Sequence, residues 1–130
     1  MPEQSLNAAM EKMHVLIIED DQGVADALKL IMEDDGFETV VAINAQQGIE
    51  EARLRRFDLT ISDVQLPDMS GLDVLATLRK KDTDHPFIII TAYLTPEVAK
   101  EAMARGAFQV LSKPFLPSEI LELARRAIAR

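Results

Sequence analysis

Phe57-Asp58-Leu59-Thr60-Ile61-Ser62-Asp63-Val64-Gln65-Leu66-Pro67-Asp68-Met69-Ser70-Gly71 begins as a buried strand and ends as the entry to a helix. Phe57, Leu59 and Ile61 are apolar and Thr60 is β-prone, so the first half suits a sheet interior. Asp63 stands where the strand stops. Leu66-Pro67 prevents further ladder pairing, because proline has no N–H to donate. Ser70 is a helix cap, and a helix follows from Gly71. An acid at the carboxyl end of an apolar strand is where α/β proteins place ligand chemistry. Taken alone, Asp63 reads more readily as a loop cap than as a functional acid. The rest of the chain gives it company.

Upstream, Val15-Leu16-Ile17-Ile18 is a β-branched run that suits a strand buried on both faces, and it ends in Glu19-Asp20-Asp21. A helix follows with Val24, Ala27, Leu28, Ile31 and Met32 on one face, closed by Gly36. Residues 37–42 read as a half-polar edge strand, and residues 45–55 as a helix with Gly48, Ile49 and Ala52 inward. Downstream, residues 71–81 carry Leu72, Leu75 and Leu78 in helical register. Phe87-Ile88-Ile89-Ile90 is another buried strand, ending in Thr91. Thr95 caps a helix that has Pro96 at its first position and stops at Gly106. Residues 107–111 form the last strand, ending in Ser112-Lys113-Pro114. The final helix carries Ile120, Leu123, Ala124, Ala127 and Ile128 on its apolar stripe.

Five strands and five helices in strict alternation predict an α/β fold: a five-stranded parallel sheet between two helical layers, joined by right-handed crossovers. We take the strand order as 2-1-3-4-5, the common flavodoxin-like solution, with its switch point between strands one and three. The 130 residues suit one domain over 14–130, preceded by a polar stretch over 1–13 that reads as a mobile leader or a short extra helix. The chain has no cysteine, which excludes disulfides and thiolate metal sites and fits a reducing cytoplasm. With 14 basic and 22 acidic residues the net charge is −8, which argues against direct nucleic-acid binding by this domain. No apolar run is long enough to cross a bilayer.

All carboxyl ends of a parallel sheet share one edge. That edge collects Glu19, Asp20 and Asp63, with Thr91 and Lys113 at two further strand ends. Two carboxylates about 6 Å apart repel by roughly 3 kcal/mol at an effective dielectric of 20. Three therefore need protons, a cation, or both. Carboxylate oxygens without histidine or cysteine suit Mg²⁺ or Mn²⁺ better than Zn²⁺. An aspartate beside such an ion can accept a phosphoryl group, with Lys113 and the Thr91 hydroxyl meeting its oxygens.

These pieces together resemble the receiver domain of two-component response regulators, over residues 14–128. The resemblance is carried by Glu19-Asp20, by Asp63 followed by Leu66-Pro67 and Gly71, by Thr91-Ala92, by Gly106-Ala107 and by Lys113-Pro114-Phe115. It implies a CheY-like fold and a phosphoacceptor at Asp63, supplied by a sensor histidine kinase or a phosphotransfer protein. It implies Mg²⁺ held by Glu19, Asp20, Asp63 and the backbone carbonyl of Gln65. Thr91 and Lys113 would contact the phosphoryl group, and Lys113–Pro114 would be a cis peptide. The output surface would be the fourth helix, fifth strand and fifth helix, engaging an output domain or a second copy. The domain would not be an enzyme in the ordinary sense, but a phosphoacceptor capable of self-phosphorylation and autodephosphorylation. The Leu66–Gly71 turn and the Ala/Arg-rich last helix also resemble receivers of sigma-54-dependent regulators of the NtrC type.

Two positions depart from the usual receiver pattern. Val110 stands where an aromatic residue is usual, and we expect Phe108, two places earlier, to face the same way and substitute in part. Tyr93 lies two places after Thr91; with Gln65 it is expected to tune the lifetime of the aspartyl phosphate. Asp21 is read as aiding a helix start, Asp58 as structural and Asp68 as a solvated turn acid. His14 is unassigned, and His85 lies at the wrong strand end to serve the site. Two other readings compete. A haloacid-dehalogenase-type phosphatase normally has a second aspartate where this chain has Gln65. A pseudo-receiver would be a protein-binding module that is not phosphorylated.

Overall fold

The computed structural model describes residues 12–129. The predicted leader therefore falls, up to residue 11, outside the described residues. The elements are β1 (His14–Ile18), α1 (Gln22–Asp34), β2 (Glu38–Ala42), α2 (Ala45–Leu54), β3 (Leu59–Asp63), α3 (Gly71–Lys81), β4 (Phe87–Thr91), α4 (Pro96–Ala104), β5 (Gln109–Ser112) and α5 (Pro117–Ala129). All neighbouring strands are parallel and their order is β2-β1-β3-β4-β5, as predicted.

Strand alternation sends side chains to two separate cores. Val15, Ile17, Leu59, Ile61, Ile88 and Ile90 meet Leu28 and Met32 of α1 and Ile120, Ala124 and Ala127 of α5. On the other face Leu16, Ile18, Phe87 and Ile89 meet α2, α3 and Ala102 of α4. The three central strands are therefore buried on both faces, β3 turning polar Thr60 and Ser62 to its second face, whereas β2, at one edge, is only half-buried.

Helix starts follow local chemistry. Asp21, Asn44, Ser70 and Thr95 each cap a helix, their side-chain oxygens accepting from backbone amides two or three residues on. Gly36 ends α1 with φ of 95°, a conformation that costs a side-chain-bearing residue energy. Three local readings need correction. Ala25, not Ala27, faces the core from α1, where Ala27 is exposed. The third strand begins at Leu59, leaving Phe57 buried in the preceding turn. The last strand begins two residues later than its apolar pattern suggested and ends one later, with Gln109 paired to Ile88. Among the described residues no helix is long and apolar enough to cross a membrane.

Candidate functional site

β1 and β3 are adjacent, and their carboxyl ends carry Glu19 and Asp63 to one crevice. Both side chains are almost wholly buried, while Asp20 is exposed. Glu19, Asp20 and Asp63 can each present a carboxylate oxygen such that all three lie within 4.8 Å of one another. Lys113, one residue beyond β5, reaches over the sheet edge. Its Nζ donates to Asp63 Oδ2 at 2.7 Å and lies 2.7 Å from Glu19 Oε1. The second contact is an ion pair whose angle leaves Glu19 Oε1 without a well-directed hydrogen bond, although the atom is buried.

The remaining oxygens are held by backbone. Glu19 Oε2 accepts from the Asp21 amide at 3.1 Å, and Asp63 Oδ1 from the Gln65 amide at 3.1 Å. Burial pushes the Glu19 carboxyl above its usual range; the Asp63 charge adds to this, and Lys113 and the Asp21 amide oppose it. Burial works the other way on the Lys113 ammonium. Its hydrogen bond to Asp63 and its ion pair with Glu19 outweigh that penalty, so its pKa is raised.

Local backbone fixes these positions. Gly71 at the start of α3 lies so close to β3 that a methyl group there would overlap the Asp63 carbonyl. The Gly71 amide donates to Val64 O at 2.7 Å, and Gln65 pairs with Ser70 in an isolated antiparallel bridge. Together these hold the loop after Asp63 in a tight bend. Thr91 ends β4, beside the strand that carries Asp63, and is buried; its hydroxyl accepts from the Tyr93 amide at 3.1 Å. The Lys113 amide donates to Thr91 O, which ties the two strand ends together, and Lys113–Pro114 is cis.

A chain folded in this order with these groups at its carboxyl edge matches the description "Response regulator receiver domain" over residues 15–125. The protein belongs to the response regulator receiver family. Among its curated relatives are the uncharacterized transcriptional regulatory protein YkoG of Bacillus subtilis, 36% identical over 119 residues, and the cell cycle transcriptional regulator CtrA of Caulobacter vibrioides, 31% identical over 118. These alignments cover 92% and 91% of this chain but 52% and 51% of the relatives, so the chain spans about half their length. The CheY-like receiver domain from Methanospirillum hungatei superposes with a TM-score of 0.87 at 29% identity, covering 91% of this chain and 94% of that one. The non-phosphorylated HemR receiver of Leptospira biflexa gives 0.86 at 31% identity, covering 92% and 96%. The beryllofluoride-activated NtrC4 receiver dimer, 24% identical, shares the fold. The protein is thus a CheY-like receiver of the two-component type, and receivers are not classical enzymes.

The structure brings Glu19, Asp20, Asp63 and Lys113 together at the edge where the sequence placed them, and it corrects two other readings. Asp68 is exposed but is more than a solvated acid. Its two oxygens accept from the Ala45 and Gln46 amides at 2.8 Å each, which hold its carboxyl below the usual range and fasten the loop after β3 to the start of α2. Phe108 does not stand in for the missing aromatic. It packs in the α1/α5 core, whereas Val110 packs in the α2/α3/α4 core. Phe108 precedes β5, so strand alternation does not govern its direction. Asp21 and Asp58 are structural, as read: Asp21 caps α1, and Asp58 accepts from the His14 amide at 2.8 Å. His14 faces Glu38 at 3.5 Å across β1 and β2.

Proposed function

We propose that Asp63 accepts a phosphoryl group from the phosphohistidine of a sensor histidine kinase or phosphotransfer protein, in a Mg²⁺-dependent reaction. The supporting observation is the convergence of Glu19, Asp20 and Asp63 beside Lys113, with one buried Glu19 oxygen lacking a directed partner. The donor set is all oxygen, as Mg²⁺ or Mn²⁺ prefers. The side chains of Glu19, Asp20 and Asp63 and the Gln65 carbonyl would hold the ion. When bound, it supplies charge neutralisation at the oxygens of the transferred group.

In the transfer, a P–N bond of the donor breaks as a P–O bond to the Asp63 carboxylate forms, and the electron pair leaves with the imidazole nitrogen. Lys113 offsets the added negative charge, and the Thr91 hydroxyl donates to a phosphoryl oxygen. Phosphorylation adds roughly 1.5 to 2 negative charges. Moving a switch from 1:99 to 99:1 takes about 5.5 kcal/mol, and two charge-assisted bonds at about 1.5–3 kcal/mol each supply much of that. The surface that responds is α4, β5 and α5, which engages an output domain or a second copy. Later attack by water returns Asp63 to its free state.

The regulators named among the relatives support a role in transcription control, exercised through an output domain; the net charge of −8 supports no nucleic-acid contact by this domain, and the lack of cysteine supports a reducing cytoplasm as its setting. The turn at residues 66–71 and the Ala/Arg-rich α5 support a sigma-54-dependent setting. Intact mass after incubation with acetyl phosphate and Mg²⁺, beside Asp63→Asn, tests the assignment. The unmutated protein gains one phosphoryl group and the variant none. Equal gain in both refutes Asp63 as the acceptor. No gain from acetyl phosphate or from a kinase, together with no Mg²⁺ binding, leaves the pseudo-receiver.

A further inference from the structure

The other edge of the sheet, far from Asp63, carries a groove that phosphoryl transfer does not use. It begins between α2 and α3, where Ile49, Ala52 and Leu78 line a cleft of about 360 Å³. It widens past the ends of both helices into a cavity of about 560 Å³ over Leu54, Phe57 and Leu78. The two spaces share Ala52, Arg53, Leu78 and Lys81 and so form one continuous groove. Leu54 is 62% exposed at its lip, a large apolar side chain left in water.

The rim is basic. Arg53, Arg55, Arg56, Lys80 and Lys81 are five of the chain's 14 cations, gathered on one groove of a protein with net charge −8. Arg53 and Arg55 pair with Glu50 and Glu51 on α2 itself. Arg56, Lys80 and Lys81 have no ion pair among the described residues. Asp82 is the one acid among the described residues lining the groove. Cations suit helix C-termini in general. That preference explains neither the apolar floor nor the exposure of Leu54.

We propose that this groove docks an acidic amphipathic helix of a partner protein. Such a helix lays leucine-type side chains on Ile49, Leu54, Phe57 and Leu78 and sets its glutamates against the rim. A polynucleotide fits less well, since it offers no apolar face to the floor and meets the repulsion of the chain's net charge. The surface is separate from the α4, β5 and α5 face, so a partner here can bind whatever the state of Asp63.

The test is amide-shift mapping of the full chain with a synthetic helical peptide of about 14 residues, or four turns, with leucines on one face and glutamates on the others. We expect shifts confined to residues 49–57 and 78–85, with Kd of about 100 µM or tighter. Binding weakens about tenfold in Arg56→Glu/Lys81→Glu and falls further as salt rises from about 0.05 M to about 0.5 M. Leu54→Gln weakens it severalfold, and phosphoryl uptake at Asp63 is unchanged in both variants. Absence of shifts at about 1 mM peptide overturns the proposal. So does equal binding of a glutamate peptide without leucines, or tighter binding of a single-stranded oligonucleotide. Binding seen only after removal of residues 1–11 makes the chain's own start the occupant and equally overturns it.

Discussion

Lys113 at the carboxyl edge of the sheet and Arg79 at the amino edge are both cations that bridge several segments, yet they bridge to different kinds of atom. Lys113 meets two carboxylates, Asp63 and Glu19. Arg79 meets backbone: through Nη1 it donates to Thr83 O at 2.9 Å and His85 O at 2.7 Å, and through Nη2 to Gly106 O at 2.5 Å. Asp58, also at the amino edge, behaves likewise, since its Oδ2 accepts from the His14 amide. A charge satisfied by backbone amides and carbonyls is committed to the fold. Charges that satisfy one another across a crevice can exchange partners when a cation or a phosphoryl group arrives. The same residue types thus make a scaffold at one edge and a reactive site at the other.

Removing Lys113 strikes hardest at this contrast. In Lys113→Met, Glu19 and Asp63 keep their burial and lose the charge between them. Breaking a buried pair costs about 3 kcal/mol or more, read as a lower denaturation midpoint without divalent cation. Mg²⁺ should restore much of the loss, since a cation can take the place of the ammonium. A variant as stable as the parent in EDTA would mean that the two carboxylates do not depend on Lys113.

Arg79→Met tests the opposite edge. It removes the donors that hold the loop after α3 to the segment before β5, leaving the partly buried His85 carbonyl short of a partner. About 2 kcal/mol of stability should go, with no recovery on adding Mg²⁺. Phosphoryl uptake at Asp63 per folded molecule should stay as in the parent. A selective loss of uptake would show the two edges to be coupled.

The alternation of strands and helices was readable because each element is local: runs such as Phe87–Ile90 and caps such as Ser70 and Thr95 declare themselves within a few residues. The acids and Lys113 were readable because a parallel sheet brings every strand's carboxyl end to one side. What sequence missed lies in distant pairings. Asp68 is 23 and 22 residues from the amides it accepts from, and Arg79 is 27 from Gly106. No local pattern marks such partners. Phe108 was misplaced for a related reason: alternation was extended past the start of β5, where the pleat no longer sets which core a side chain enters.

His85 offers the smallest and most specific break. Its Nε2 lies 2.7 Å from the hydroxyl of Thr60, a buried threonine in the strand that carries Asp63. Burial lowers its pKa below the usual 6.5, with Arg79 lowering it further and Asp82 and Asp58 opposing. The folded protein therefore binds a proton at His85 less readily than the unfolded chain does. The stability this neutral imidazole contributes is complete above pH 6.5 and is lost as pH falls from there through the folded-state value. Denaturation midpoints measured between about pH 7.5 and about pH 5 should thus fall for the parent. In His85→Asn that part of the slope should vanish, leaving what the other titratable groups contribute. If parent and variant give the same slope, the imidazole is not held neutral against Thr60, and the amino edge is more open to protons than its backbone bonding implies.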